Sequence, residues 1–318
     1  MIDPGFSTHF ELRELAEGVF AAIAKEGGAA FSNAGIIDLG GRTLIFDTFD
    51  NPLAAEDLKH AAEQLTGRSA DTVIISHYHP DHWSGNQVFA DSAEIVTTHM
   101  ARAAMADVVD HFRASNQVMR EMQERLRQSE EQFEKETIET RRRALQTSIT
   151  RQRYNLETLP TLRFHLPTLS FEGRMMFHGA KRTAELRQTG SGHTSGDCIL
   201  LLPGEPIAFL GDLAFFHTAP YMGDCIPADW IARIDELTQM DLRQVVPGHG
   251  GLGTLADLEL EKHYIQDIQA LVAGVIQAGG SEADALQVKL PPPFDAWSEA
   301  GPARFQSNVR RVFRLGVS

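Results

Sequence analysis

A chain of 318 residues with 42% hydrophobic content suits one large α/β domain, and it has enough apolar side chains for a sizeable core. Its net charge of −14 repels phosphate backbones, which argues against a nucleic-acid partner in the absence of a local basic patch. Two cysteines, Cys198 and Cys225, exclude a disulfide framework and fit a reducing compartment. Met1 to Gly5 carries no basic, then apolar, leader pattern, and no apolar run approaches the roughly 20 residues that span a bilayer. The expectation is a cytoplasmic protein with no membrane segment.

The first elements read as α/β. Gly35 to Leu39 and Thr43 to Asp47 are short β-type runs, and Gly40-Gly41 between them marks a tight hairpin. Asn51 and Pro52 supply a helix cap and first position, Leu53 to Leu65 has helical apolar spacing, and Gly67 ends it. Thr72 to Ser76 is a β-branched run that reads as a buried strand. Strand, helix and strand in alternation predict a layered α/β fold.

Met100 to about Pro160 differs in kind. It has no glycine, is rich in Arg, Glu and Gln, and repeats Met105, Phe112, Met119, Leu126 and Phe133 every seven residues. The intermediate positions Val108, Ser115, Met122, Ser129 and Glu136 are weaker, so only half of a coiled-coil seam is present. A helix of about 50 residues would run to roughly 75 Å, so a break into two helices is expected. The candidate partners for the seam are the chain's own domain, the mouth of the site, or a second copy in a homodimer. The domain expectation is a single domain over 1–318, with a helical insertion over 100–160 and a C-terminal extension over 280–318.

The second half repeats the first pattern. Ala184 to Gln188, Cys198 to Leu202 and Ile207 to Leu210 read as strands, with Pro203 to Pro206 as a turn. Pro227 to Met240 reads as a helix. Gln244 to Val246 reads as a short strand stopped by Pro247-Gly248, and Leu255 to Ala278 as a helix ended by Gly279-Gly280. Arg310, Arg311 and Arg314 read as a solvated face.

Chemistry concentrates in Ser76-His77-Tyr78-His79-Pro80-Asp81-His82, directly after the buried strand. His77 and His79 are two apart, so extended backbone places them on one face, and Pro80 holds His79 extended. A turn then returns Asp81 and His82 as a second pair. Three histidines and a carboxylate in six residues are hard to explain as packing, and imidazole with carboxylate suits zinc, iron or manganese. His193 in a Gly-rich loop, Asp212 after Leu210-Gly211, and His249 after Pro247-Gly248 each stand where a strand gives way to a loop.

With these four motifs in this order, the chain from about Leu15 to Gly251 resembles the metallo-β-lactamase-fold hydrolases. The resemblance implies an αββα sandwich with metals at one edge. It implies that His77, His79 and His193 hold one ion, Asp81, His82 and His249 a second, and that Asp212 bridges both. Asp47 and Asp197 would support the ligand loops from behind. Two divalent ions, zinc first with iron or manganese as alternatives, could share a hydroxide and clamp a displacement. Asp81 would then orient the nucleophile and pass on its proton. Trp83, Phe215, His217 and Tyr221 are secondary candidates for the substrate pocket.

The expected activity is hydrolysis of a carbonyl-type bond (ester, thioester, lactone or β-lactam) in a small molecule. Departures from the family pattern narrow the substrate. Asp212 stands where some β-lactamases carry a cysteine ligand, and another β-lactamase subgroup lacks the bridging Asp altogether. Phe215 stands where similar quorum-quenching lactonases place Tyr, and 280–318 shows no glutathione-binding domain like that of glyoxalase II. Two rivals share the fold. One is a metal-dependent RNA-processing nuclease, disfavoured by a near-neutral insertion of 11 Lys+Arg against 10 Asp+Glu. The other is a mononuclear iron sulfur dioxygenase, which would not need Asp81, His82 and His249.

Overall fold

The computed structural model describes residues 6–113, 116–297 and 302–316; Met1 to Gly5, and Ser115 of the heptad row, lie outside the described residues. The first half forms β1 (Phe10–Ala16), β2 (Val19–Ala24), β3 (Ala34–Asp38), β4 (Thr43–Phe46), α1 (Pro52–Thr66), β5 (Thr72–Ile74) and β6 (Glu94–Thr98). The insertion follows as α2 (His99–Arg113), α3 (Asn116–Lys135) and α4 (Glu139–Thr158), and β7 (Leu169–Phe171) completes the first sheet. The second half holds β8 (Arg174–His178), β9 (Thr183–Gly190), β10 (Asp197–Leu201), β11 (Ile207–Phe216), α5 (Pro227–Thr238), β12 (Gln244–Gly250), α6 (Leu255–Gln277), α7 (Glu282–Ala285) and α8 (Pro302–Gly316).

Strands β1 to β7 lie side by side in chain order, antiparallel through β4 and parallel from β4 to β7. The second sheet runs β12-β11-β10-β9-β8, with only the β11–β12 pair parallel. Because strand side chains alternate in direction, each sheet is apolar on both faces. Leu44, Phe46, Ile74 and Val96 meet Leu186, Leu200, Ile207 and Phe209 between the sheets. Ile45 and Val73 point the other way, onto Ala54, Leu58 and Ala61 of α1 and Met105 and Val109 of α2. Ile199 and Ala208 face Trp230 and Ile234 of α5, Ile265 and Ile268 of α6, and Val309 of α8. The result is an αββα sandwich. At Gly35 a Cβ would stand 2.4 Å from the Phe209 ring, so a side chain there would hold the sheets apart.

The α1 boundaries follow the sequence signals. Asn51 accepts from Leu53 N at 3.0 Å, and Gly67 ends the helix at φ 72. Elsewhere the structure corrects the reading. β12 does not stop at Pro247; it runs to Gly250, which proline permits because β12 is an edge strand. β11 extends from Ile207 to Phe216, past Asp212. β1, β2, β6, β7, β8, α7 and α8 have no counterpart in the sequence reading.

The insertion is three helices rather than two. Met105 is fully buried against the first-sheet core, and the Phe112 ring lies 4.9 Å from that of Phe164. Beyond them, Met119, Leu126 and Phe133 lie half-buried on α3, which forms a hairpin with α4. α4 leans on the loops after β2 and β4: Asn51 Nδ2 donates to Asn155 Oδ1 at 3.0 Å, Asn155 Nδ2 to Asp50 Oδ2 at 3.2 Å, and Thr147 Oγ1 to Glu26 at 2.9 Å. Among the described residues no helix is long and apolar enough to cross a membrane.

Candidate metal centre

β5 ends at Ile74, and the chain then enters the Ser76–His82 loop at the sheet edge. His77, His79, His193 and Asp212 each bring a donor atom to one point, and Asp81, His82, Asp212 and His249 do the same at a second. In the first group His79 Nδ1 lies 3.0 Å from His77 Nε2 and 2.9 Å from His193 Nε2. In the second, Asp81 Oδ2 lies 3.1 Å from His249 Nε2 and 3.6 Å from His82 Nε2.

Asp212 joins the two groups through different oxygens. Its Oδ2 is 3.2 Å from His193 Nε2 and 3.6 Å from His77 Nε2; its Oδ1 is 3.0 Å from His82 Nε2 and 3.4 Å from His249 Nε2. Gly248 makes room for this carboxylate, since a Cβ there would sit 1.9 Å from Asp212 Oδ1.

The ligand faces of these side chains are fixed from behind. Asp47 Oδ2 lies 2.7 Å from His82 Nδ1, while Asp47 Oδ1 accepts Ser76 N at 2.7 Å. Ser76 Oγ bonds Asp47 Oδ2 at 2.8 Å and meets His77 Nδ1 at 2.9 Å. His249 Nδ1 donates to Phe31 O at 3.1 Å. Asp197 accepts Thr194 N at 2.9 Å and bonds Thr194 Oγ1, which closes the loop around His193. Such outer partners set the tautomer and ring orientation of ligating histidines.

The site's electrostatics favour a cation. Burial pushes His77 well down and His193 to about 4, which leaves neutral imidazoles. Burial would depress His82 and His249 too. The carboxylates of Asp212, Asp47 and Asp81 override it at His82, and Asp212 with Asp81 raise His249 to about 9. The second group therefore attracts positive charge. Among the described residues His82 Nε2 and Asp212 Oδ1, although 3.0 Å apart, are buried without a well-formed hydrogen bond, a costly arrangement for polar atoms unless they serve as ligands. Nitrogen and carboxylate donors of this kind fit divalent zinc, iron or manganese.

Residues 27–151 match the family model of the metallo-beta-lactamase superfamily. Among solved structures, a metallo-beta-lactamase from Pontibacter korlensis is similar with a TM-score of 0.58 at 17% identity, covering 81% of this chain and 99% of that one. The chain has the metallo-β-lactamase fold. The TMB-1 structure is similar at 16% identity and a TM-score of 0.57, over 82% of this chain and 99% of that one. The DIM-1 metallo-beta-lactamase is similar at 16% identity, with a TM-score of 0.57 over 81% and 98%. At such identities the likeness to this superfamily's structures concerns the fold. No curated protein matches the sequence.

The secondary pocket candidates fare differently on this metallo-β-lactamase scaffold. Tyr221 is half-buried, with its ring 5.5 Å from that of His79, at the rim of the first group. Phe215 is buried beneath both groups, stacked on His249 at 5.0 Å and tilted against His193 at 5.6 Å, so it is a floor rather than a wall. Trp83 is a core residue: fully buried, its indole donates to Tyr78 O at 2.8 Å and packs on Phe164. His217 is exposed and turned toward α6, where its Nε2 lies 3.2 Å from Asp257.

Four contributors have no local motif. Asp224 Oδ2 lies 2.9 Å from His79 Nε2, which leaves His79 Nδ1 to face the site. Asn308 of α8 anchors the loop that carries Asp224, accepting Met222 N at 3.0 Å and donating to Pro220 O at 2.8 Å. Arg311, read as solvated, donates to Cys225 O at 2.9 Å and holds the same loop. Phe31, the fourth, accepts the His249 Nδ1–H bond at its carbonyl and places its ring 4.6 Å from the imidazole. A carboxylate beside Tyr221 and a polar residue amid apolar ones in α8 were the available signals.

Proposed function

We propose that this protein is a two-metal hydrolase that cleaves a carbonyl-type bond (ester, thioester, lactone or β-lactam) in a small molecule. The observation that carries the reading is Asp212, whose two oxygens serve two separate donor groups at 3.0 and 3.2 Å from their nearest histidines. Two divalent ions there, zinc foremost, would supply Lewis acidity and a water nucleophile at neutral pH.

The chain's own residues do the rest. His77, His79 and His193 with Asp212 form one ligand set, and Asp81, His82 and His249 with Asp212 form the other. Asp81 is the catalytic candidate. Burial pushes its carboxyl up, but His82 and His249 outweigh that and hold it below the ordinary range, so it stays ionised and can accept a hydrogen bond from water. Its side chain keeps 22% exposure where Asp212 keeps 3%, so Asp81 is the site carboxylate nearer solvent. It is placed to orient the attacking water. Tyr221 at one rim and Phe31 at the other give a small substrate apolar flanks.

The test is turnover by zinc-reconstituted protein on a panel of one thioester, one lactone, one β-lactam and one aryl ester, with bis(p-nitrophenyl) phosphate alongside. Carbonyl-ester cleavage lost on chelation and restored by zinc is expected. Turnover of the phosphodiester alone would favour the nuclease reading. Oxidation of a persulfide by iron-loaded protein, without carbonyl hydrolysis, would favour the dioxygenase.

A further inference from the structure

Arg151 of α4 lays its guanidinium over the Phe31 ring, with Cζ 3.5 Å from the centroid. The same ring leans on His249 at 4.6 Å, so the helical insertion delivers a cation one aromatic ring away from the second donor group. The platform is rigid. Phe31 N donates to Asp50 Oδ1 at 3.0 Å and Phe31 O accepts from His249 at 3.1 Å. A guanidinium stacked on an aromatic face keeps its in-plane N–H groups available.

Those donors are unspent. Among the described residues no hydrogen bond or ion pair engages Arg151, although Asp50 lies close enough to feel its charge. The Asp50 oxygens are committed to Phe31 N and Asn155 Nδ2. Two nearby arginines of α4 are engaged: Arg153 pairs with Glu130 at 2.7 Å and Arg142 donates to Phe133 O at 2.8 Å. In a chain of net charge −14, a partly exposed, oriented and unpaired guanidinium beside a metal-ligand cluster stands out.

We propose that Arg151 is a substrate-positioning residue that recognises a carboxylate on the substrate, so that the hydrolysed molecule carries a carboxylate near its scissile carbonyl. The planar fork of the guanidinium matches two carboxylate oxygens, and charge-assisted pairs of this kind are the strong ones. The specificity of the site would then be supplied by the insertion and its chemistry by the sandwich. This proposal rests on the hydrolase reading for its substrate, but not for its binding test.

The experiment compares wild-type protein with Arg151→Met, Arg151→Lys and, as control, Arg153→Met, all zinc-loaded. Glutarate binding is measured by calorimetry. Hydrolysis is followed for 3-(acetylthio)propanoate and its uncharged methyl ester. Arg151→Met is expected to weaken glutarate binding roughly 10- to 100-fold and to lower the charged-over-neutral selectivity in kcat/KM by a similar factor, chiefly through KM. Arg151→Lys should recover part of both, and Arg153→Met should match wild type. If no variant or wild type cleaves either thioester, the thioester arm of the hydrolase reading fails while glutarate binding still decides the role of Arg151. Equal glutarate affinity in wild type and Arg151→Met, or unchanged selectivity, overturns the proposal.

Discussion

Replacing Gly248 with alanine should break the junction between the two donor groups. The new Cβ would lie 1.9 Å from Asp212 Oδ1, where ordinary contact begins at 3.4 Å, so that oxygen would have to retreat by about 1.5 Å. Retreat is blocked, because the Cβ also meets Gly211 C at 2.8 Å and Asp212 N at 2.9 Å on the same strand. Metal–ligand distances tolerate only about 0.2 Å, so the bridge cannot survive in place. Overpacking of this kind costs about 1–3 kcal/mol, equivalent to roughly 5- to 150-fold in affinity at 1.4 kcal/mol per tenfold. The larger loss is expected at the group holding His82 and His249, which Oδ1 faces. Zinc titration of apoprotein against a chromophoric chelator reads this directly. Gly251→Ala is the control, since a Cβ there meets nothing within 4 Å. Two zinc ions bound to Gly248→Ala with wild-type affinity would refute the placement of Asp212 between the groups.

Further consequences follow from individual contacts. His193→Ala and His82→Ala remove donors from different groups; each should cut the metal count toward one per chain and lower turnover by more than the roughly 10- to 100-fold lost when an outer partner of a ligand is removed. His60→Ala and His263→Ala, both exposed, should change neither, as elemental analysis and kinetics would show. Asp224→Ala releases His79 Nε2 and should weaken metal at the first group by roughly 10- to 100-fold, leaving the second group less affected. Glu261 is fully buried, accepts Phe215 N at 3.0 Å and leaves Oε1 unpartnered; burial raises its carboxyl well above the ordinary range. A raised folded value means that its contribution to stability is complete below the ordinary glutamate range and lost as pH rises through the folded value. Glu261→Gln should therefore flatten the fall of apoprotein Tm with rising pH, and identical slopes in the two proteins would count against a buried neutral Glu261.

The site was more legible in the sequence than the fold around it. Seven donors stand in four short motifs, most of them where a strand meets a loop, although Asp212 lies within β11. Asp197 sits in the His193 motif and Asp47 was indicated only by the family resemblance; both touch a donor residue or its immediate neighbour. Asp224, Asn308 and Arg311 were hidden because their partners lie 145, 86 and 86 positions away, and no periodicity encodes such pairs. Trp83 misled because an aromatic next to a ligand motif looks like a pocket wall, whereas the turn after His82 swings it into the core. Pro247 misled as a strand stop because edge position, which makes proline harmless, is a property of topology rather than local sequence. The seven-residue stripe over-predicted continuity. Met105 buries in the sandwich, Phe112 packs half-buried on Phe164, and the others ride on a separate helix of the hairpin.

The most direct test is the number of ions held by the intact protein. Elemental analysis of protein purified without chelator, followed by zinc titration of the apo form, should give close to two divalent ions per chain. One tightly bound iron, with no second site that zinc can fill, would contradict the two-metal centre.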